Sequence, residues 1–240
     1  MIDIKRKIKD LKLKFYLIRQ KIYRFFWTKK ATEMEAQRKR AKEMGLPEIR
    51  EKVKEYYYKF RFLQEIIEQT DINEKSKILD IGCGIKTVLH FLSGAMKVGI
   101  DPLADEYKKM YSYPPDLIIE KSFGEKIKYP ENYFDVVFIT NTLDHTEDPR
   151  KIISEAWRVL KKEGYLVMVN ELVSKEIKRN RAHPYNLTEE DILNLLSDKF
   201  RIIFKKYSPW IGIRQYYLNQ ININKKETKD EQITILAQRN

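Results

Sequence analysis

The sequence predicts an α/β chain: a mostly parallel sheet of seven strands with helices on both faces, preceded by N-terminal helices. Three observations carry this expectation. From Lys77 onward, short apolar runs alternate with stretches of helical period. The apolar runs are strand-sized, as in FDVVFI at 134–139, and none approaches the ~20 residues of a membrane span. The chain has 240 residues, 42% of them hydrophobic, enough for one well-buried α/β domain plus an appendage.

The elements follow in order. Ile4, Ile8, Leu11, Phe15, Ile18, Ile22 and Phe25 recur at alternating spacings of 4 and 3, which draws an apolar stripe along a first helix. Lysines and arginines fill most of its other sides, and Phe26 and Trp27 end it. A polar, charge-dense run follows from Thr28 to Glu43, and Gly45 and Pro47 punctuate the chain. A second helix is predicted from about Pro47 to Gln69, with Val53, Tyr57, Phe60, Leu63, Ile66 and Ile67 on its apolar side. Tyr56, Tyr57 and Tyr58 cannot all be core, and solvent-facing tyrosines are the simpler account. Candidate strands are Ile78–Ile81, Met96–Ile100, Leu117–Ile119, Phe134–Thr140, Leu166–Asn170, Phe200–Lys205 and Gln232–Ala237. Helices are expected over Thr87–Leu92, Pro149–Leu160 and Glu189–Leu196, the last opened by Thr188 as N-cap with Asp191 at the capping-box position. The last two strands match a sheet whose final strand returns antiparallel. The organisation expected is an arm over 1–45, a covering helix over 46–75 and an α/β domain over 76–240.

The net charge of +12 belongs almost wholly to the arm. Residues 1–30 carry a net +9 and residues 31–42 a further +2, leaving +1 for the rest of the chain. Charge confined to an arm speaks of docking rather than chemistry. The single cysteine, Cys83, excludes an intrachain disulfide and a zinc ribbon. Three histidines mean that a dedicated metal cage would have to lean on carboxylates, so no metal is expected. No apolar core with a small-residue cleavage site follows the N-terminal charges, so no secretory signal is expected, and a reducing, cytoplasmic setting fits.

The segment KILDIGCGIKTVLHFL at 77–92 reads as a strand, a turn with Gly82 and Gly84, and a helix. Glycine is needed there where backbone must approach a ligand closely or adopt positive φ. The next strand, VGID, ends in Asp101, 17 residues after Gly84, where a carboxylate can accept from both hydroxyls of a ribose lying across the sheet edge. The plainer alternative is a tight turn and a strand-capping acid without a ligand. Cys83 between the glycines reads as a small side chain packed under the turn.

ILDIGCG followed by VGIDP resembles motif I and the second-strand acid of the class I S-adenosylmethionine-dependent methyltransferases. GEKIKYPENYFDVVFITNTLDHTEDPRKIISEAWRVLKKEGYLVMV at 124–169 resembles the later signature of their broad small-molecule, methyltransferase type 11-like branch, through Glu125, Phe134, Asp135, Val137, Leu143, His145, Glu155, Arg158, Val159, Leu160, Lys161 and Gly164. The departures are Lys86 for the third glycine of the turn, Lys128 for a proline of the acid-x-Leu-Pro-Phe turn, and Lys162 and Glu163 for the Pro-Gly before Gly164. The resemblance implies a Rossmann-like fold with S-adenosylmethionine as cofactor and S-adenosylhomocysteine as product. It further implies that the backbone around Gly82, Cys83 and Gly84 faces the methionine part, that Asp80 accepts from its amino group, and that Asp101 holds the ribose hydroxyls. Pro102 or Leu103 would flank the adenine. Gly124 and Glu125 would meet its edge, with Phe123 in place of a frequent acid. Asn141, Leu143 and His145 would lie nearest the methyl group.

A sulfonium already activates its methyl, so a base is needed only for an acceptor that holds its proton tightly. His145 is the first candidate base and His183 the second; the alternative for His145 is a helix-start histidine packed against the turn. The Asn/Asp-Pro-Pro-aromatic box of amino-methylating DNA enzymes is missing from Asn141-Thr142-Leu143-Asp144, and the YPP at 113–115 stands in the wrong place for it. One or two of Tyr56, Tyr57 and Tyr58 could line an acceptor pocket under the covering helix.

The expected function is methylation of oxygen or nitrogen on a small molecule, glycan or lipid headgroup, by direct transfer without a metal. The alternatives are an RNA-directed methyltransferase and a cofactor-binding scaffold without turnover. Three readings of the arm stand beside these: a basic amphipathic helix on an anionic membrane, a helix packing on the domain or on a second copy, and a nucleic-acid arm.

Overall fold

The computed structural model describes residues 33–172, 185–211, 213, 216 and 231–240. The amphipathic stripe over residues 4–25, residues 1–32 of the expected arm and His183 lie outside the described residues. Seven strands form one sheet: β1 (Lys77–Ile81), β2 (Met96–Asp101), β3 (Leu117–Lys121), β4 (Phe134–Thr140), β5 (Leu160–Leu172), β6 (Phe200–Pro209) and β7 (Glu231–Arg239). Their order is β3-β2-β1-β4-β5-β7-β6. Strands β1 to β5 pair in parallel. β7 returns antiparallel between β5 and β6, as the sequence led us to expect. The strand order reverses at β1, so a crevice opens beyond its C-terminal end, between the ends of β2 and β4.

Alternation along the strands divides the core into two layers. Ile78, Val136, Phe138 and Val167 point into a layer closed by the N-terminal helices; Leu79, Ile81, Val137, Ile139 and Met168 point into the other. On β1 the odd member of the first set is Asp80, fully buried beside Ile78. The second layer is covered by α5 (Pro149–Val159), which Asp148 caps by accepting from Arg150 N at 3.0 Å, and by α6 (Glu189–Leu196). The predicted capping box is formed at α6: Thr188 Oγ1 accepts from Asp191 N and Asp191 Oδ2 from Thr188 N. A short helix, α4 (Ala104–Lys108), follows β2.

The helices depart from expectation in three ways. Residues 33–44, expected as part of a polar run, are helical (α1), with Gln37, Ala41 and Met44 buried at helical spacing. The single helix expected over 47–69 is two, α2 (Pro47–Phe60) and α3 (Leu63–Thr70). The break falls at Arg61 and Phe62, where Phe62 takes φ 54°. The carbonyl of Phe60, freed by the break, accepts from Ser208 Oγ at 2.8 Å and Gln232 Nε2 at 3.0 Å. β6 and β7 therefore hold the bend. The third departure is after the glycine turn, where the expected α-helix is one 3-10 turn, Val88–Phe91. Lys97 Nζ collects the carbonyls of Leu89 and Leu92, at 3.3 and 3.0 Å, that a longer helix would have satisfied with its own N–H groups.

The tyrosines of α2 also correct the sequence reading. Tyr56 and Tyr57 are buried rather than solvent-facing, because each serves a different layer. Tyr56 packs with Phe60 and Ile211 and donates to Ile211 O at 2.6 Å; Tyr57 joins the first core layer and donates to Lys86 O at 2.8 Å.

Candidate active site

The turn after β1 is built by glycine. Gly82 and Gly84 have φ 71° and 53°, the left-handed region that side chains rarely adopt. A Cβ on Gly82 would stand 2.4 Å from the Thr142 side chain, so the turn and the loop after β4 touch backbone to side chain. Gly82 N and Cys83 N both donate to Ile100 O, which ties the turn to β2. The Cys83 side chain points beneath the turn, where a Cβ on Gly99 would meet its sulfur at 2.8 Å. Burial pushes its thiol up, so it is not poised as a nucleophile.

Asp101 ends β2 under this turn. Its Oδ2 accepts from Gly84 N at 3.3 Å and its Oδ1 from Leu103 N at 2.8 Å. Burial raises it to about 6 against these bonds. Asp80 lies deeper. Oδ2 accepts from Thr87 Oγ1 at 2.6 Å, while Oδ1 is buried with no hydrogen-bond partner among the described residues. Burial raises Asp80 to about 7, against the Thr87 bond and the positive charge of Arg61. A second orphaned acceptor, Asn141 Oδ1, stands at the end of β4, where Asn141 takes φ 52° and its N–H bonds Val169 O at 2.8 Å. Buried acceptors without donors at one sheet edge are costly in a protein that binds nothing there.

Other site residues suggested by the sequence are distributed around this crevice. Pro102 and Leu103 follow Asp101 and are half-buried. Phe123 is 58% exposed beside Gly124, a free aromatic face at the end of β3. Gly124 packs so closely that a Cβ would meet Ile81 at 2.6 Å, and Glu125 accepts from Glu147 N at 3.1 Å. Leu143 is fully buried in the second core layer. His145 ends a 3-10 turn, Leu143–His145, with Nε2 3.9 Å from Asp144 Oδ1.

Three features escaped the sequence. Helix α1 lies on the glycine turn: Gln37 Oε1 accepts from Ile85 N at 3.4 Å, and its Nε2 would be 3.3 Å from a Cβ on Gly84. Lys86, which replaces the third glycine, holds α1 through an ion pair with Glu43 at 2.9 Å. Tyr113 of the YPP loop reaches back to donate to Gly84 O at 3.1 Å and stacks on His90. Arg61, at the bend between α2 and α3, is 5% exposed and lies over the Tyr56 and Tyr57 rings. The residues of the later signature serve packing instead. The carboxylate of Asp135 takes Lys77 N and Lys161 Nζ, and Glu155 with Arg158 clamps the backbone of Ile127 and Tyr129.

These donors and acceptors fit S-adenosylmethionine. Asp101 offers a carboxylate under the turn for a diol, Asp80 an unfilled oxygen for an ammonium, and the glycine turn a side-chain-free wall between them. Among the described residues no three His, Cys, Asp or Glu side chains converge as a metal site, and no helix is long and apolar enough to cross a membrane.

The chain matches the family described as methyltransferase domain over residues 79–168. It is 25% identical over 133 residues to a glycine/sarcosine/dimethylglycine N-methyltransferase of Actinopolyspora halophila, covering 52% of this chain and 24% of that one. Over 184 residues it is 24% identical to the phosphoethanolamine N-methyltransferase of Plasmodium falciparum, covering 68% and 69%. The fold superposes on an S-adenosylmethionine-dependent methyltransferase from Mesorhizobium loti with a TM-score of 0.56 at 15% identity, over 73% of this chain and 96% of that one. The match spans 24–58% of the length of four of the curated relatives. Residues 79–168, which hold both the glycine turn and the strand-end acid of the crevice, match a methyltransferase domain and have the fold of the S-adenosylmethionine-dependent methyltransferases.

Proposed function

We propose that the chain transfers a methyl group from S-adenosylmethionine to oxygen or nitrogen of a small molecule, glycan or lipid headgroup. The observation that carries this is the crevice at β1, where Asp101 engages the Gly84 amide and Asp80 keeps one oxygen unfilled. The cofactor supplies, when bound, a methyl already activated by its sulfonium. The chain's own residues then bind and align. Asp101 takes the ribose diol, Asp80 the amino group, the backbone at Gly82, Cys83 and Gly84 passes beside the methionine part, and Phe123 with Pro102 flanks the adenine. Asn141, with its orphaned oxygen at the end of β4, would accept from a donor near the methyl. His145 is the base we assign for an acceptor that must lose a proton. His183 is the second candidate. The two relatives named for glycine, sarcosine and dimethylglycine and for phosphoethanolamine act on amines carrying an anion, which favours an acceptor of that size.

A second reading is a cofactor-binding scaffold without turnover, which rests on Lys86 in place of the turn's third glycine, where it ties α1 to the turn through Glu43. Calorimetry with S-adenosylmethionine, followed by a product assay across amines, hydroxyl compounds, glycans and RNA, separates the readings. Binding with product is expected, and binding without product on any acceptor favours the scaffold. Product on RNA alone favours the RNA-directed alternative. If a base is used, His145→Gln lowers turnover by on the order of 10²–10⁴ with cofactor affinity unchanged. For the basic arm, residues 1–30, we propose docking on an anionic surface or on the domain. Liposome co-sedimentation with and without those residues tests the membrane form, and equal binding by both defeats it.

A further inference from the structure

The loop that leaves β3 crosses the crevice on two backbone anchors. Ser122 N donates to Asp101 O at 3.3 Å, at the end of β2. Gly124 packs on Ile81, at the end of β1, so closely that a Cβ would stand 2.6 Å from the isoleucine side chain. Phe123 lies between these anchors and pairs across a tight turn with Lys126, whose N–H donates to Phe123 O at 3.2 Å. The Ser122 hydroxyl reaches the carbonyls of Phe123 and Lys126, both at 3.4 Å, and closes the turn. The backbone is therefore fixed, yet the ring is left in the open. At 58% exposed, Phe123 is the most exposed large apolar side chain among the described residues.

The acids on and beside this loop are already engaged. Glu125 accepts from Glu147 N at 3.1 Å, ahead of α5. Glu120, on β3, accepts from Lys128 Nζ at 2.7 Å and the Tyr129 hydroxyl at 3.0 Å. Asp105 faces Lys108 and Lys121 at 3.4 and 4.0 Å. We infer that Phe123 sets the chain's selectivity toward the base of its cofactor: the purine is held through the ring face, and its exocyclic amine goes unread. A phenyl ring has no lone pair to offer an N–H donor. Stacking on it tolerates any base, because each has a π-face. A site rejects a ligand that lacks a polar group only where that group's partner would be left unpaired. Losing the amine therefore costs little here. The inference rests on the methyltransferase reading and deepens it with a ligand class: purine nucleosides thioether-linked to homocysteine, with or without the exocyclic amine.

The test compares S-adenosylhomocysteine with its analogue carrying purine in place of adenine, which keeps the ribose, the thioether and the amino-acid end and lacks only the amine. Calorimetry is run on the full chain, as wild type, Phe123→Ala, Phe123→Trp and Phe123→Asp. The wild type is expected to bind the two ligands within about threefold of each other. Phe123→Ala is expected to weaken both alike, by about tenfold. Phe123→Trp, which keeps a stacking face, should hold both near their wild-type affinities. Phe123→Asp puts an acceptor in the ring's place and is expected to favour the adenine form by about tenfold. Unchanged melting of the ligand-free variants reports that they are folded. A wild type that prefers the adenine form by more than about threefold overturns the inference, since some acceptor then reads the amine. Phe123→Ala binding both ligands as the wild type does also overturns it, since the ring then carries none of the binding. If the wild type binds neither ligand, the methyltransferase reading fails and this inference fails with it.

Discussion

The N–H of Gly84 donates to Oδ2 of Asp101 at 3.3 Å, so the turn leaving β1 and the end of β2 are locked by the carboxylate assigned to the ribose. With the Leu103 N–H on Oδ1, that bond fixes the carboxylate against the turn. Asp101→Ala removes an ionised acceptor, and hydrogen bonds to charged groups are each worth about 1.5–3 kcal/mol. S-adenosylhomocysteine binding is expected to weaken on the order of tenfold to a hundredfold, measured by calorimetry.

Burial lifts Asp80 from 3.8 to about 7 and Asp101 to about 6. A carboxyl with a raised native pKa holds its proton more tightly in the folded state. Its stabilising contribution is complete below about pH 4 and is lost as pH rises through 6 to 7. The ligand-free protein is therefore expected to melt at lower temperature at pH 8 than at pH 5. Asp80→Asn should melt higher than wild type at pH 8 and show a flatter profile across this window, read by scanning fluorimetry. An ammonium needs Asp80 ionised, so S-adenosylhomocysteine affinity should rise with pH through 7 in the wild type and lose that slope in the variant.

Much of this site was legible in the sequence because its parts are local. A glycine turn between an apolar strand and an apolar run, and an acid 17 residues on, need only chain order to meet across adjacent parallel strands. Thr188 and Asp191 are likewise three residues apart. Arg61 was not legible. The apolar spacing Tyr57, Phe60, Leu63, Ile66 runs through the break without a fault, and what bends the chain there is Ser208 and Gln232, some 148 and 172 positions away. α1 was hidden differently: its buried face is Gln37, Ala41 and Met44, which in composition resembles a solvated run. The short turn at Val88–Phe91 depends on the Lys97 ammonium, a contact across a loop that periodicity does not register.

Gln37 takes the Ile85 amide at 3.4 Å and stands on Gly84. A ligand passing beside the turn has to replace that contact. Gln37→Ala removes the competitor, and one neutral hydrogen bond is worth about 0.5–1.5 kcal/mol. S-adenosylhomocysteine is expected to bind roughly 2- to 10-fold tighter, with unchanged binding or a loss showing instead that Gln37 serves the cofactor.

Lys86 and Glu43 form the strap that keeps α1 on the turn, with side chains 8% and 16% exposed. Breaking a buried pair from one side costs about 3–5 kcal/mol because the remaining charge loses its partner. Lys86→Met is expected to destabilise by about 3 kcal/mol in urea unfolding. Lys86→Met combined with Glu43→Gln should recover much of that loss. Additive losses would mean that the pair is not coupled.

Glu163 lies near the start of β5, where the resemblance leads one to expect a Pro-Gly turn, and it takes φ 60°. The conformation is imposed by its neighbours, since Gln238 Nε2 donates to its carbonyl at 2.9 Å and β5 slips register against β4 between Phe134 and Val136. A side chain held there costs about 1–2 kcal/mol, and glycine gives back about 0.5–1 kcal/mol of that in the unfolded chain. Glu163→Gly is therefore expected to stabilise by about 0.5–1 kcal/mol, a rise of roughly 2 °C in Tm for a domain of this size. This start of β5 lies at the N-terminal end of the sheet's parallel strands, opposite the crevice, so S-adenosylhomocysteine affinity measured on the same variant should not move.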